Sequence, residues 1–229
     1  MERHCCLPTG IKENPTIEME NQNRDPKHFI AFDLGATSGR TILGTLQNGN
    51  LTLKELTRFP NAVFRQGERF YWNIFSLYER LREGLQAAAK EGIDIVSVGI
   101  DTWGVDFVAV GHDGSLLGLP RAYRDPHTEG IPEAYFSEVL SKEEVYEATG
   151  IQIMNLNTLY QLYALRLEHS PQLAAAERLL FMPDALSYML TGRMVAEYTI
   201  ASTSQLLNPR TKRIEDRLLE GMGLSARLF

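Results

Sequence analysis

The sequence predicts an α/β domain in which a mixed β-sheet opens on antiparallel hairpins and is covered by flanking helices. Three observations carry this. Residues 28–60 alternate like strands around one turn and one Asn-Gly pair, residues 73–92 change to a helical period, and a short apolar run ending in Asp101 comes after the helix. The order β-β-β-α-β, continued by further α/β units, belongs to a sheet with helices against it rather than to a bundle or a sandwich.

Each element has a local reason. Residues 1–27 are polar, interrupted by three prolines and without a period of 2 or 3.6, so they read as a disordered leader. The ordered domain is expected over 28–229. His28–Asp33 has the composition of a buried strand. "RTILGTL" continues extended, "QNGN" supplies the hairpin signal, and "LTLKELTRF" alternates. In "WNIFSLYERLREGLQAAAKEG", Ile74, Leu77, Leu81, Leu85 and Ala88 fall on one helical face, Asn73 is placed to cap the start and Gly92 to end it. "IDIVSVGID" is short, β-branched and apolar, the pattern of a strand buried on both faces. "VDFVAV" returns as a strand, "HDGS" turns, and the chain beyond Pro120 is mostly helical. "SKEE" has the form of a capping box, Asn157 can cap "TLYQLYALRLEH", and "RLLFMPD" reads as one more buried strand before a short helix ending at Thr191-Gly192. "NPRTKRIEDR" reads as a charged, solvated connector.

Composition narrows the function. The 229 residues are 44% hydrophobic and 23% charged, enough for a sizeable core, and the net charge of −6 argues against a nucleic-acid partner, which needs a concentration of Lys and Arg. The two cysteines, Cys5 and Cys6, are adjacent, so they cannot staple distant parts of the fold, and "RHCC" makes a poor zinc set. No run approaches the roughly 18 apolar residues of a membrane span. A cytoplasmic protein with a small-molecule ligand is the expectation.

The turn in "FIAFDLGATSGR" is the candidate site. It is neither a P-loop nor a dinucleotide fingerprint, and the residues after it form a strand, so no helix N-terminus faces an anion. Two readings remain open for it. Backbone N–H groups in a nest, the hydroxyls of Thr37 and Ser38 and the cation of Arg40 would hold phosphates, with Asp33 on a hydrated Mg²⁺. Alternatively, Gly35 and Gly39 serve a positive-φ turn that Asp33 caps. "GIDTWGVDF" repeats the device, an apolar strand delivering Asp101 into a glycine-containing bend. Two such strand ends facing one cleft favour the ligand reading.

With these segments in view, the chain resembles the N-terminal half of the FGGY carbohydrate kinases. "FDLGATSGR", "GIDTWGVDF", "GLPRAYRD", "TGIQIMNLNTLYQL", "MPDALSYMLTG" and "EYTIASTSQLLN" occur in the family's order over about 200 residues. The resemblance implies a ribonuclease H-like ATPase domain of the actin and sugar-kinase type, the first of two, with Mg²⁺-ATP and a ketose such as L-rhamnulose in the cleft between them. On matching positions, Ala36, Thr37, Ser38, Gly39 and Arg40 would line the ATP phosphates, Asp33 would approach the metal through water, and Gly104, flanked by Asp101 and Trp103, would contact the sugar. The resemblance further implies that the carboxylate that takes the sugar proton and the adenine site both belong to sequence beyond Phe229, in a C-terminal domain absent here. The fragment alone is therefore expected to be inactive, since losing a general base typically costs about 10²–10⁴-fold.

Two rivals are a ribonuclease H-like nuclease with Asp33 and Asp101 as paired metal ligands, and a non-catalytic sugar-binding module. Among other residues, Tyr123, Tyr160 and Tyr163 read as core more than as sugar platforms, Asn157 and Gln161 sit one turn apart and present amides either to hydroxyls or to capping, and Arg124, Asp125 and His127 read as a structural, salt-bridged loop.

Overall fold

The computed structural model describes residues 25–229. The first 24 residues, with Cys5 and Cys6 and most of the expected leader, lie outside the described residues. Three strands open the fold: β1 (Lys27–Leu34), β2 (Ser38–Gln47) and β3 (Asn50–Pro60), paired antiparallel in sequence order. The β2–β3 turn holds Asn48 at φ 52° and Gly49 at φ 80°. This doubly left-handed pair matches the right-handed twist of the strands it joins, which is why Asn-Gly occurs there. A small hairpin comes next, β4 (Phe64–Gln66) and β5 (Arg69–Tyr71), which the sequence pattern does not anticipate.

Helix α1 (Ile74–Ala89) starts where Asn73 accepts a hydrogen bond from the Ser76 N–H at 3.0 Å. It buries Ile74, Leu77, Leu81 and Ala88 against Ile30, Phe32 and Leu34 of β1. Strand β6 (Ile95–Thr102) then pairs parallel with β1 and completes a sheet of order β3-β2-β1-β6. The expectation that this strand is buried on both faces is corrected. Val96 is 59% and Val98 44% exposed, because β6 is an outer strand of this sheet and only part of it is covered.

Strand β7 (Phe107–Val110) leaves the sheet after a sharp bend. Its partner is β8 (Arg178–Phe181), antiparallel and some seventy residues on. Between them lie α2 (Ile131–Glu138), α3 (Lys142–Thr149), α4 (Thr158–Leu167) and the single turn α5 (Pro171–Ala174). Ser141 and Glu144 form the expected capping box of α3. The strand expected over "RLLFMPD" stops at Phe181, because Met182-Pro183-Asp184 open helix α6 (Met182–Thr191), with Pro183 in its first turn, where its missing N–H costs nothing; α6 ends at Gly192 in the left-handed conformation that its missing Cβ permits. Then come α7 (Tyr198–Ala201), a short hairpin of β9 (Leu207–Asn208) and β10 (Arg213–Ile214), and α8 (Asp216–Glu220). The "NPRTKRIEDR" connector is thus a hairpin leading into a helix, because Leu207, Ile214, Leu218 and Leu219 join a second core with Tyr135, Tyr160 and Phe181.

Candidate functional site

The site is built on two strand ends. β1 and β6 run parallel with Asp33 beside Asp101 and Leu34 beside Thr102. Paired residues on adjacent strands point to the same face and lie about 4.8 Å apart across the ladder, so both carboxylates leave the same end of the sheet on the same side. Asp101 is exposed. Asp33 is half-exposed and bonded by Arg40, whose Nε and Nη2 reach its Oδ2 at 2.8 and 2.7 Å. Cation and carboxylate come from facing positions of the first hairpin, since Asp33 and Arg40 are register partners.

The turn between them is tied from one side. The Asn61 N–H donates to Thr37 O at 2.9 Å and its Nδ2 to Gly35 O at 2.8 Å, while the Gly35 N–H closes onto Ser38 O at 2.8 Å. Neither Gly35 nor Gly39 has a positive φ. This corrects the reading of Gly35 and Gly39 as residues of a positive-φ turn. Gly39 is instead a matter of space: an added Cβ would run into the Phe59 ring from β3 and come within 2.9 Å of Leu34 Cδ2. What the turn offers an anion is the N–H groups of Ala36 and Thr37, which have no protein acceptor among the described residues, with two hydroxyls and the guanidinium.

At the end of β6 the strain sits one residue past the glycine. Val105 has φ 69°, and the Asp106 N–H bonds Gly104 O at 2.9 Å, which makes Gly104–Val105–Asp106 a γ-turn of the rare positive-φ kind. A β-branched residue there is a true outlier costing on the order of 1–3 kcal/mol, and such strain is held by its surroundings. Here Val105 N–H donates to Thr203 Oγ1 at 3.1 Å, and Val105 O accepts from Thr158 Oγ1 at 2.7 Å. Gly104 is pressed against Thr203, with room for no Cβ: one would lie 2.7 Å from Thr203 Oγ1.

Asp106, which no motif in the sequence singles out, is the buried centre of this bend. Its Oδ2 accepts from Trp72 Nε1 at 2.6 Å, Trp103 Nε1 at 2.9 Å and the Tyr123 N–H at 3.2 Å, and its Oδ1 from Gln161 Nε2 at 3.0 Å. It is 1% exposed. Burial pushes its carboxyl up to about 6 against the pull of those donors. Trp103, its indole N–H committed to Asp106, packs on Trp72 with ring centroids 4.1 Å apart. Its indole N–H is therefore not free to bond a ligand.

The remaining candidates are structural. Tyr160 and Tyr163 are core, as expected, and Tyr123 packs near Trp72 at 6.2 Å. Asn157 occupies the N-cap position of α4 without a side-chain cap; its amide donates to Gln152 O and Gln205 Oε1. Gln161 is 2% exposed, so the pair offers nothing to an open cleft. Asp125 takes the Phe70 and His127 N–H groups and lies 3.3 Å from Arg121, the salt-bridged loop that was expected, while Arg124 rests over the Tyr123 ring. Among the described residues no group of three or more His, Cys, Asp or Glu is placed to share a metal ion. No helix among them is long and apolar enough to cross a membrane.

Residues 28–229 match the model of the FGGY family of carbohydrate kinases, N-terminal domain. A protein named rhamnulokinase from Bacteroides thetaiotaomicron is 58% identical over 203 residues, 89% of this chain and 42% of that protein. A second of that name, from Oceanobacillus iheyensis, is 42% identical over 200 residues, 87% of this chain and 42% of its own length. The chain thus spans well under half the length of the curated relatives it matches. In structure it is similar to a gluconate kinase and a ligand-bound xylulose kinase, both from Lactobacillus acidophilus, each with a TM-score of 0.77 at 17% and 18% identity, over 89% and 88% of this chain and 41% of those chains. At such identity the likeness establishes the fold, which is the one that the FGGY resemblance implies.

Proposed function

The chain belongs to the FGGY family of carbohydrate kinases, and from that premise we propose that residues 28–229 form one wall of a cleft in which ATP phosphorylates the primary hydroxyl of a ketose, L-rhamnulose in particular. The observation that carries this is the parallel pairing of Asp33 with Asp101. It sets the turn with unsatisfied N–H groups and the strained bend side by side at the carboxyl ends of two strands, where ligands of such sheets bind.

Each residue has a role its chemistry suits. The N–H groups of Ala36 and Thr37, the hydroxyls of Thr37 and Ser38, and Arg40 would bind the phosphates, with Gly39 keeping the turn close to β3. Asp33, half-exposed and an oxygen ligand, fits a hydrated Mg²⁺, which when bound neutralises phosphate charge. Gly104 presents backbone to the ketose, with Asp101 and the ring of Trp103 at its sides. Phosphoryl transfer depends on positioning and charge neutralisation across a closed cleft, and the proton acceptor and adenine site are assigned to a C-terminal domain. The 229-residue polypeptide alone is accordingly assigned binding without turnover.

The test is a chimera. This chain, exchanged for the matching residues of the Bacteroides thetaiotaomicron relative, should release ADP in the presence of L-rhamnulose and not without sugar, while the chain alone should release none. A correctly folded chimera whose ATP consumption is indifferent to every ketose would refute the reading.

A further inference from the structure

Two features at the sugar-facing bend are costly, and the fold alone does not call for either. One is a β-branched residue at the centre of a positive-φ γ-turn. The other is Asp106, a carboxylate 1% exposed with no cation paired to it among the described residues. Burying a charge without a counter-ion is destabilising, and an apolar side chain of similar volume is often the better choice for stability alone. The two features share one place: they are consecutive residues, immediately after Gly104.

We propose that Asp106 is the positioning residue of the sugar site, holding Trp103 and the Gly104–Val105 turn in the orientation in which the Gly104 backbone meets the ketose; this rests on the reading of that bend as the sugar contact. The donors that converge on Asp106 come from four separate segments. Trp72 precedes α1, Trp103 lies in the bend itself, Tyr123 belongs to the loop after β7, and Gln161 projects from α4. All four are N–H groups, so the site calls for a group that accepts and never donates. An ionised carboxylate does that, whereas an asparagine would turn one donor toward another. Gln161 works on both sides of the turn, since its Nε2 also lies 3.3 Å from Val105 O. With the N–H of Val105 given to Thr203 and its carbonyl to Thr158, the amide left over in the bend is the Gly104 N–H, which has no acceptor among the described residues. A sugar hydroxyl is the kind of acceptor it would take. Asp106 touches no substrate in this scheme. It acts by denying the bend any other conformation, and small departures from a productive geometry are expensive in affinity and rate.

The chain supplies its own reporters, because its only two tryptophans are the two whose indole N–H groups bond Asp106. In two-dimensional ¹H–¹⁵N spectra of the 229-residue chain, L-rhamnulose should move the Trp103 indole and the Gly104 and Val105 amides, and Mg-ADP should move the amides of residues 36–40. In Asp106→Asn the ketose dissociation constant should rise about tenfold or more, while the Mg-ADP constant stays within about twofold and the remaining spectrum overlays that of the unaltered chain. Gln161→Met, which removes one donor and leaves the carboxylate, should give a smaller loss in the same direction and serves if Asp106→Asn does not fold. Ketose affinity unchanged in the folded variant overturns the proposal, as does an equal loss of ketose and nucleotide binding, which would mark a purely structural role. An unaltered chain that answers Mg-ADP but no ketose would instead overturn the assignment of the bend to sugar, and the proposal with it.

Discussion

Replacing Gly39 by alanine tests why the turn between β1 and β2 has the shape it has. Gly39 has ordinary backbone angles, so alanine is not excluded by conformation; it is excluded by the Phe59 ring, which faces Gly39 across the β2–β3 ladder and would have a ring carbon 2.5 Å from the new Cβ, with Leu34 Cδ2 at 2.9 Å. Phe59 is 7% exposed and packed in the core, so it cannot swing into solvent without a loss of its own. Overpacking of this kind costs about 1–3 kcal/mol, offset by about 0.4–1 kcal/mol from the stiffer unfolded chain, which leaves a net loss of about 0–2.6 kcal/mol. The ring stands two residues before Asn61, which holds the turn, so the displacement should also weaken Mg-ADP binding. Phe59→Leu makes room for the methyl group. Urea unfolding of both single variants and the double variant, monitored by tryptophan fluorescence, should therefore give a double variant more stable than the sum of its parts by about 0.5–3 kcal/mol. Additivity within about 0.5 kcal/mol would refute the steric account of Gly39.

Arg40→Ala should separate stability from binding. The Arg40–Asp33 pair is half-exposed, so its loss should change stability by no more than about 1 kcal/mol, while Mg-ADP binding, read by calorimetry, should weaken severalfold or more. The pH dependence of stability should run opposite to ordinary acid denaturation over one window. Burial raises Asp106 and Asp184 to about 6, above their unfolded values, and the nearby Glu197 charge adds to the rise at Asp184. The native state then holds these protons more tightly than the unfolded chain, and the stability this gives is complete below about pH 4 and lost as pH rises through 6. Between pH 5 and 7 the urea midpoint should fall by the equivalent of roughly 1 kcal/mol per group, and Asp184→Asn should remove its share.

The fold's local features were legible because their causes are local. The Asn48-Gly49 hairpin, the Asn73 cap and the Ser141–Glu144 box each depend on residues within four of one another. What the sequence concealed depends on distance along the chain. Apolar composition cannot say that β6 is an outer strand, and nothing near Phe107 announces a partner at Phe181. The β4–β5 hairpin, three residues a side, is too short to show a period. At the site, the paired carboxylates were legible as two strands ending alike. Asn61, Thr203 and Gln161 were not seen as supports, because they reach the turn and the bend from 26, 98 and 56 residues away. The positive φ fell on Val105 rather than on Gly104, against the usual preference, since hydrogen bonds from three side chains, Thr203 and the Thr158 and Gln161 of α4, impose what its side chain resists.

Paramagnetic mapping with Mn²⁺-ADP tests the shared wall most directly. If the ends of β1 and β6 line one cleft, amide signals of residues 33–40 should broaden first and those of 101–106 next, as their adjacency in the sheet requires. Broadening confined to the open cavity around Leu165, Arg178 and Phe229, with both strand ends untouched, would contradict the account.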